Sequence, residues 1–169
     1  MFKKIFTGLA ILSAVIYAYC LFRLLFRGFY GVGMMLSEDL IIRQGYNLIP
    51  FKTISEYITG YADGSMRGVA FRNLAGNFFL LAPLGFYLPF FIEKMKKAMP
   101  YMLTVATTIV VIEVVQLATM SGSLDIDDFI LNFTGAVIGF YICKCPPIRR
   151  LFKLRVYNNV TKNTTKTML

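Results

Sequence analysis

Apolar residues in this chain gather into long runs, interrupted by few polar positions, rather than alternating or marking one face. The runs extend from Ile5 to Phe26, Leu74 to Ile92, Tyr101 to Met120 and Ile126 to Cys143. Each approaches the ~20 residues a helix needs to cross ~30 Å of hydrocarbon. The pattern predicts an all-α membrane protein with four transmembrane helices over about 5–26, 74–92, 101–120 and 126–143. Lys3 and Lys4 ahead of the first run resemble the start of a signal peptide. Its apolar core is long, however, and Tyr17-Ala18-Tyr19-Cys20 makes a poor cleavage site, so an uncleaved signal anchor is expected.

The stretch from about Arg27 to Asn73 is too short for a core of its own. Its most structured part opens at Asn47-Leu48-Ile49-Pro50-Phe51. Pro50 suits a first helical position, and Phe51, Ile54, Ile58 and Tyr61 follow at helical spacing. A short interfacial helix ending near Gly60 is predicted, its apolar stripe facing lipid or the bundle. Gly60, Gly64 and Gly68 mark turns into the second span. Pro83 and Gly85 fall within that span, where a proline frees a carbonyl that water or a neighbour must satisfy. Pro146-Pro147 ends the fourth helix. Beyond it, Arg149 to Val156 mixes cations with apolar residues as a lipid-surface helix would. The chain reads as one membrane domain over 1–145 and a basic tail over 146–169.

Composition agrees, with 57% of the 169 residues hydrophobic. A net charge of +9 raises nucleic acid as a partner, but the distribution argues against it. Four crossings put Lys3, Lys4, Lys94, Lys96, Lys97, Lys144 and the cations of the tail on one side. Arg27, Arg43, Lys52, Arg67 and Arg72 fall on the other, together with Glu38, Asp39, Glu56, Asp63 and the aspartates before the fourth helix. The positive-inside rule then predicts both termini in the cytoplasm and the 27–73 loop outside. Cys20, Cys143 and Cys145 lie at depths that imply no disulfide framework. Cys143-Lys144-Cys145 is compatible with a metal or an acyl chain, and equally with ordinary membrane-edge thiols.

Candidate chemistry lies in the acids of the last two spans. A carboxylate in an apolar run costs a few kcal/mol in hydrocarbon and marks a functional site by default. Glu113 and Gln116 share a helix face. Asp125, Asp128, Asn132, Gly135 and Gly139 follow helical spacing in the next span, with Asp125 at or ahead of its cap. A tight turn around Ser121 to Leu124 makes these two helices antiparallel neighbours. Asn73 and Asn77 begin the second span at similar depth. The expected object is an outward-opening polar pocket lined by Glu113, Gln116, Asp128, Asn132 and Asn77, with Asp125 at its rim. A structural reading competes: the aspartates as wetted helix caps, and Glu113 hydrogen-bonded to Gln116, Asn132 or Asn77, or paired with Arg72.

Asn47-Leu-Ile-Pro50-Phe51, Asn77 followed by Ala82-Pro83-Leu84-Gly85-Phe86, Glu113-Val-Val-Gln116, and Asp125-Ile-Asp-Asp128 with Asn132 and Gly135 occur here in one order. From Asn47 to Phe140 the chain resembles the VanZ-like family of small bacterial membrane proteins. The resemblance implies a multi-pass protein of the bacterial cytoplasmic membrane. Its best-known member gives resistance to teicoplanin, a lipid-tailed glycopeptide antibiotic. A non-enzymatic resistance factor is therefore one expectation, with membrane lipids, a lipoglycopeptide or a lipid-linked cell-wall precursor as partners. An enzyme acting on a lipid headgroup or precursor is a second, with Glu113 as general base and Mg²⁺ or Ca²⁺ in the oxygen-rich cluster. No resident metal or cofactor is expected otherwise. A carrier is a third, for which Gly135-x-x-x-Gly139 permits a homodimer or intramolecular packing.

Overall fold

A computed structural model of the chain describes residues 2–25, 46–119 and 122–146. The expectations for Glu38, Asp39, the turn at Ser121 and the tail segment Arg149 to Val156 lie outside the described residues. The elements are α1 (Phe2–Leu25), β1 (Tyr46–Asn47), α2 (Lys52–Ala62), α3 (Arg67–Leu80), α4 (Leu84–Phe91), a 3-10 turn (Glu93–Lys96), α5 (Ala98–Ala118), β2 (Leu124–Asp125) and α6 (Ile126–Lys144). Among the described residues, Ile5–Leu25, Arg67–Phe91, Ala98–Ala118 and Ile126–Lys144 are long and apolar enough to cross a membrane. Leu9, Leu12, Val15, Phe79, Leu103 and Val111 are all more than half exposed on these helices. Apolar side chains facing outward in such numbers require lipid rather than water around them.

The second span is two helices. Pro83 has no N–H to give, so the chain tightens there: Leu84 N donates to Leu81 O and Gly85 N to Ala82 O, both at 3.0 Å. The Leu80 carbonyl is left without its helical donor, and the Tyr17 hydroxyl of α1 donates to it at 2.7 Å. Helical structure starts at Arg67, ahead of the apolar run. The N-terminal half of α3 packs on α2, where Asn73 Nδ2 donates to the Tyr57 hydroxyl at 3.0 Å.

Interior packing is densest between α3–α4 and α6. A Cβ at Gly135 would stand 1.7 Å from the Phe78 carbonyl oxygen, and one at Gly139 would stand 2.2 Å from that of Ala82. Both glycines are used inside the protomer, where they let two backbones touch. Below them Tyr101, Val105 and Ile109 of α5 meet Ala136 and Phe140 of α6 and Leu81. The Tyr101 and Phe140 rings stack at 4.3 Å, and the Tyr101 hydroxyl donates to Ala136 O at 2.9 Å.

Helix α2 differs from its expected form at both ends. It starts at Lys52 with Phe51 as the cap residue, so Pro50 sits in the turn before it. It also continues past Gly60 to Ala62, because Gly60 is buried against the Met66 side chain rather than terminating the helix. Its apolar stripe divides. Ile54 turns partly inward near Tyr57 and Gly60, while Phe51, Ile58 and Tyr61 remain at least half exposed. β1 and β2 form a two-residue parallel pair, Tyr46 opposite Leu124 and Asn47 opposite Asp125. The chain between residues 46 and 62 is thereby tied to the α5–α6 hairpin.

Candidate functional site

The three aspartates that open α6 point to different partners. Asp125 is the cap residue, accepting from Asp127 N at 2.8 Å. Its carboxylate also accepts from Asn47 Nδ2 at 3.1 Å and from the Thr53 hydroxyl at 2.6 Å. Asn47 donates to Thr53 Oγ1 at 2.9 Å and accepts from Ile49 N at 3.2 Å, which folds the turn into α2. Asp127 is fully buried. Its two oxygens accept from Phe51 N at 2.5 Å and Ile54 N at 3.1 Å. Those amides are orphan donors at the start of α2, so a carboxylate from another helix caps it. The grip accounts for Phe51, which holds φ 65°, a conformation that bulky residues adopt only when their surroundings impose it.

Asp128 faces the opposite way, into the bundle, and accepts from Asn77 Nδ2 of α3. Asn132, one turn on, donates to Asp128 O at 2.9 Å. From α5, Glu113 Oε2 accepts from Asp125 N at 3.4 Å, so the hairpin strand positions its carboxyl group. Gln116 donates to Leu25 O at 2.9 Å, fastening the end of α1. Glu113, Gln116, Asp128, Asn132 and Asn77 together line a cavity of about 40 Å³, whose other wall is apolar, with Leu25, Leu80, Leu81, Ile109 and Ile112. About one probe sphere, ~10–15 Å³ by that measure, holds a water. The space therefore admits a few waters or one small polar group.

The amide orientations are fixed by chemistry. Asn132 and Gln116 each donate to a backbone carbonyl oxygen, which only accepts, and this assigns their NH₂ ends and turns their carbonyl oxygens elsewhere. Asn132 is 5% exposed, and its Oδ1 is buried with no hydrogen-bond partner. No Lys or Arg lines the cavity among the described residues. Glu113 does not pair with Arg72 and does not hydrogen-bond Gln116, Asn132 or Asn77; its partner is the Asp125 amide. No group of three or more His, Cys, Asp or Glu converges to hold a metal among the described residues. Outside the spans, the Ser65 hydroxyl and amide beside Asp63 hold its carboxylate below the ordinary range, stabilising the exposed turn between α2 and α3.

The remaining candidates lie outside the cavity. Asp125 joins the strap over the hairpin with Asn47 and Phe51, and Pro50 occupies the turn between them. Asn73 links α3 to α2, Pro83 and Gly85 shape the α3–α4 break, and Gly135 supports the helix contact. Thr53, Tyr17 and the clamping role of Asp127 escaped the sequence reading. Thr53 had one legible signal, its position close behind the Asn47–Phe51 stretch.

No curated protein and no solved structure matches the chain. The VanZ/LLP1 family model matches residues 14–152, a stretch that holds the strap, the broken second span and the whole cavity. With four membrane-crossing helices around that shared stretch, this is a multi-pass membrane protein, and it belongs to the VanZ/LLP1 family.

Proposed function

We propose that this protein acts at the outer face of a bacterial cytoplasmic membrane and protects against lipoglycopeptides such as teicoplanin. The reading is non-enzymatic and runs through the cavity between Glu113 and Asp128. One observation carries it: two carboxylates share a narrow cavity within the bundle, with no lining cation among the described residues. Such charges are costly in a membrane interior and are retained where a ligand uses them. The charge bias of the loops supports the hairpin end as the outer one. A teicoplanin-like drug anchors a fatty tail in the bilayer and holds polar groups at headgroup depth. The cavity suits one donor-bearing group of the drug or of its lipid-linked target, received by charge-assisted hydrogen bonds.

The test is the inhibitory concentration of teicoplanin in a susceptible Gram-positive host, with tail-free vancomycin for comparison. The native chain is expected to raise the teicoplanin value, and Glu113→Gln at matched membrane levels to return it to baseline. Unchanged protection by Glu113→Gln would sink the reading. The cavity's small volume favours a second reading, a membrane-embedded enzyme or carrier for a lipid headgroup or lipid-linked precursor. Turnover or flipping of a labelled headgroup lipid in proteoliposomes, lost in Asp128→Asn, distinguishes it.

A further inference from the structure

We infer that the cavity between α1, α3, α5 and α6 is a primary-ammonium site. The inference rests on the reading of this cavity as the working site and specifies what enters it. Its polar wall is rich in acceptors. Glu113 and Asp128 supply carboxylate oxygens, and the amide NH₂ of Asn132 is already committed to Asp128 O. Asn132 Oδ1 is left buried and unpartnered. An orphaned buried acceptor costs on the order of 1–3 kcal/mol, which a donor from a ligand would recover.

Three features select the chemistry. The two acids have hydrogen-bond donors but no cation beside them among the described residues, and a positively charged group supplies the charge that would offset them. Several acceptors around one small space match the three N–H donors of an –NH₃⁺ group. The facing wall of Leu81, Ile109 and their apolar neighbours accommodates the carbon next to that nitrogen. A quaternary ammonium is disfavoured because its methyl groups remove every N–H donor that these acceptors would bind. An alkylammonium is the species that satisfies charge, donors and shape together.

The experiment uses the full chain in phosphatidylcholine nanodiscs, with the thermal unfolding midpoint followed as methylammonium is added. A saturable rise is expected, with no comparable rise from tetramethylammonium or potassium at equal ionic strength. Glu113→Gln and Asp128→Asn should each weaken the apparent affinity at least about tenfold, the loss of one charge-assisted bond. A second arm substitutes phosphatidylethanolamine for phosphatidylcholine. Stabilisation by that lipid in addition to the methylammonium response identifies a headgroup source, and a response to methylammonium alone identifies a soluble amine; either outcome upholds the site. No methylammonium response, an equal response to potassium or tetramethylammonium, or native affinity in both variants overturns it. Teicoplanin protection that depends on Glu113 without any ammonium response would remove this inference and leave the proposed function standing. An ammonium response without protection would do the reverse.

Discussion

Asp125, Asp127 and Asp128 are adjacent in sequence and have separate tasks. Asp127 anchors the start of α2, where its carboxylate accepts from two backbone amides. Asp127→Ala leaves both unsatisfied and should cost roughly 2–6 kcal/mol, at about 1–3 kcal/mol per orphaned donor. Asp127→Asn, which keeps one acceptor, should cost about half as much. Unfolding midpoints in mild detergent measure both, and equal midpoints for native and Asp127→Ala would refute the clamp. Thr53→Val removes a hydroxyl that donates to Asp125 and accepts from Asn47, and should cost about 1 kcal/mol by the same measurement. The clamp was hard to read from sequence because Asp127 binds backbone amides about 75 residues away. Such partners leave no side-chain signature. Glu113, Asp128, Asn132 and Asn77 were legible because polar groups in apolar runs stand out against their neighbours.

Helices α3, α4 and α6 are held at backbone contact, and the glycines there have no room to grow. Gly135→Ala must drive α6 away from Phe78 O, and should cost about 1–3 kcal/mol or more as an overpacked contact. A native-like midpoint for Gly135→Ala in detergent would show that the helices are not in such contact. Tyr17→Phe strands the Leu80 carbonyl and should lower stability by about 1 kcal/mol, with the loss read from the same unfolding curve. The carbonyl freed by Pro83 is legible in sequence, since proline's missing donor is a local property, whereas the division of that span into two helices is not. Nor does the sequence reveal Tyr17 as the compensating donor, because a tyrosine in a lipid-facing run is equally at home as a membrane-edge aromatic. Gly135-x-x-x-Gly139 likewise allowed two packing partners, and the choice of α3–α4 depends on tertiary contacts that no local pattern encodes.

At the scale of the whole molecule, four helices bring α1, α3, α5 and α6 together around one acceptor-lined cavity beneath a strapped hairpin. The loop charges orient it, and cytoplasm-active reporters fused at either terminus should both be active; activity at only one terminus would contradict the proposed topology. The central claim is that Glu113 and Asp128 are kept for a ligand rather than for the fold. Groups kept for binding are seldom optimal for stability. The most direct test is therefore the unfolding midpoint of the ligand-free protein with Glu113→Gln, beside native and Asp127→Asn. The account predicts that Glu113→Gln unfolds at or above the native midpoint while Asp127→Asn falls clearly below it. A Glu113→Gln midpoint as low as that of Asp127→Asn would make Glu113 a structural group and contradict the account.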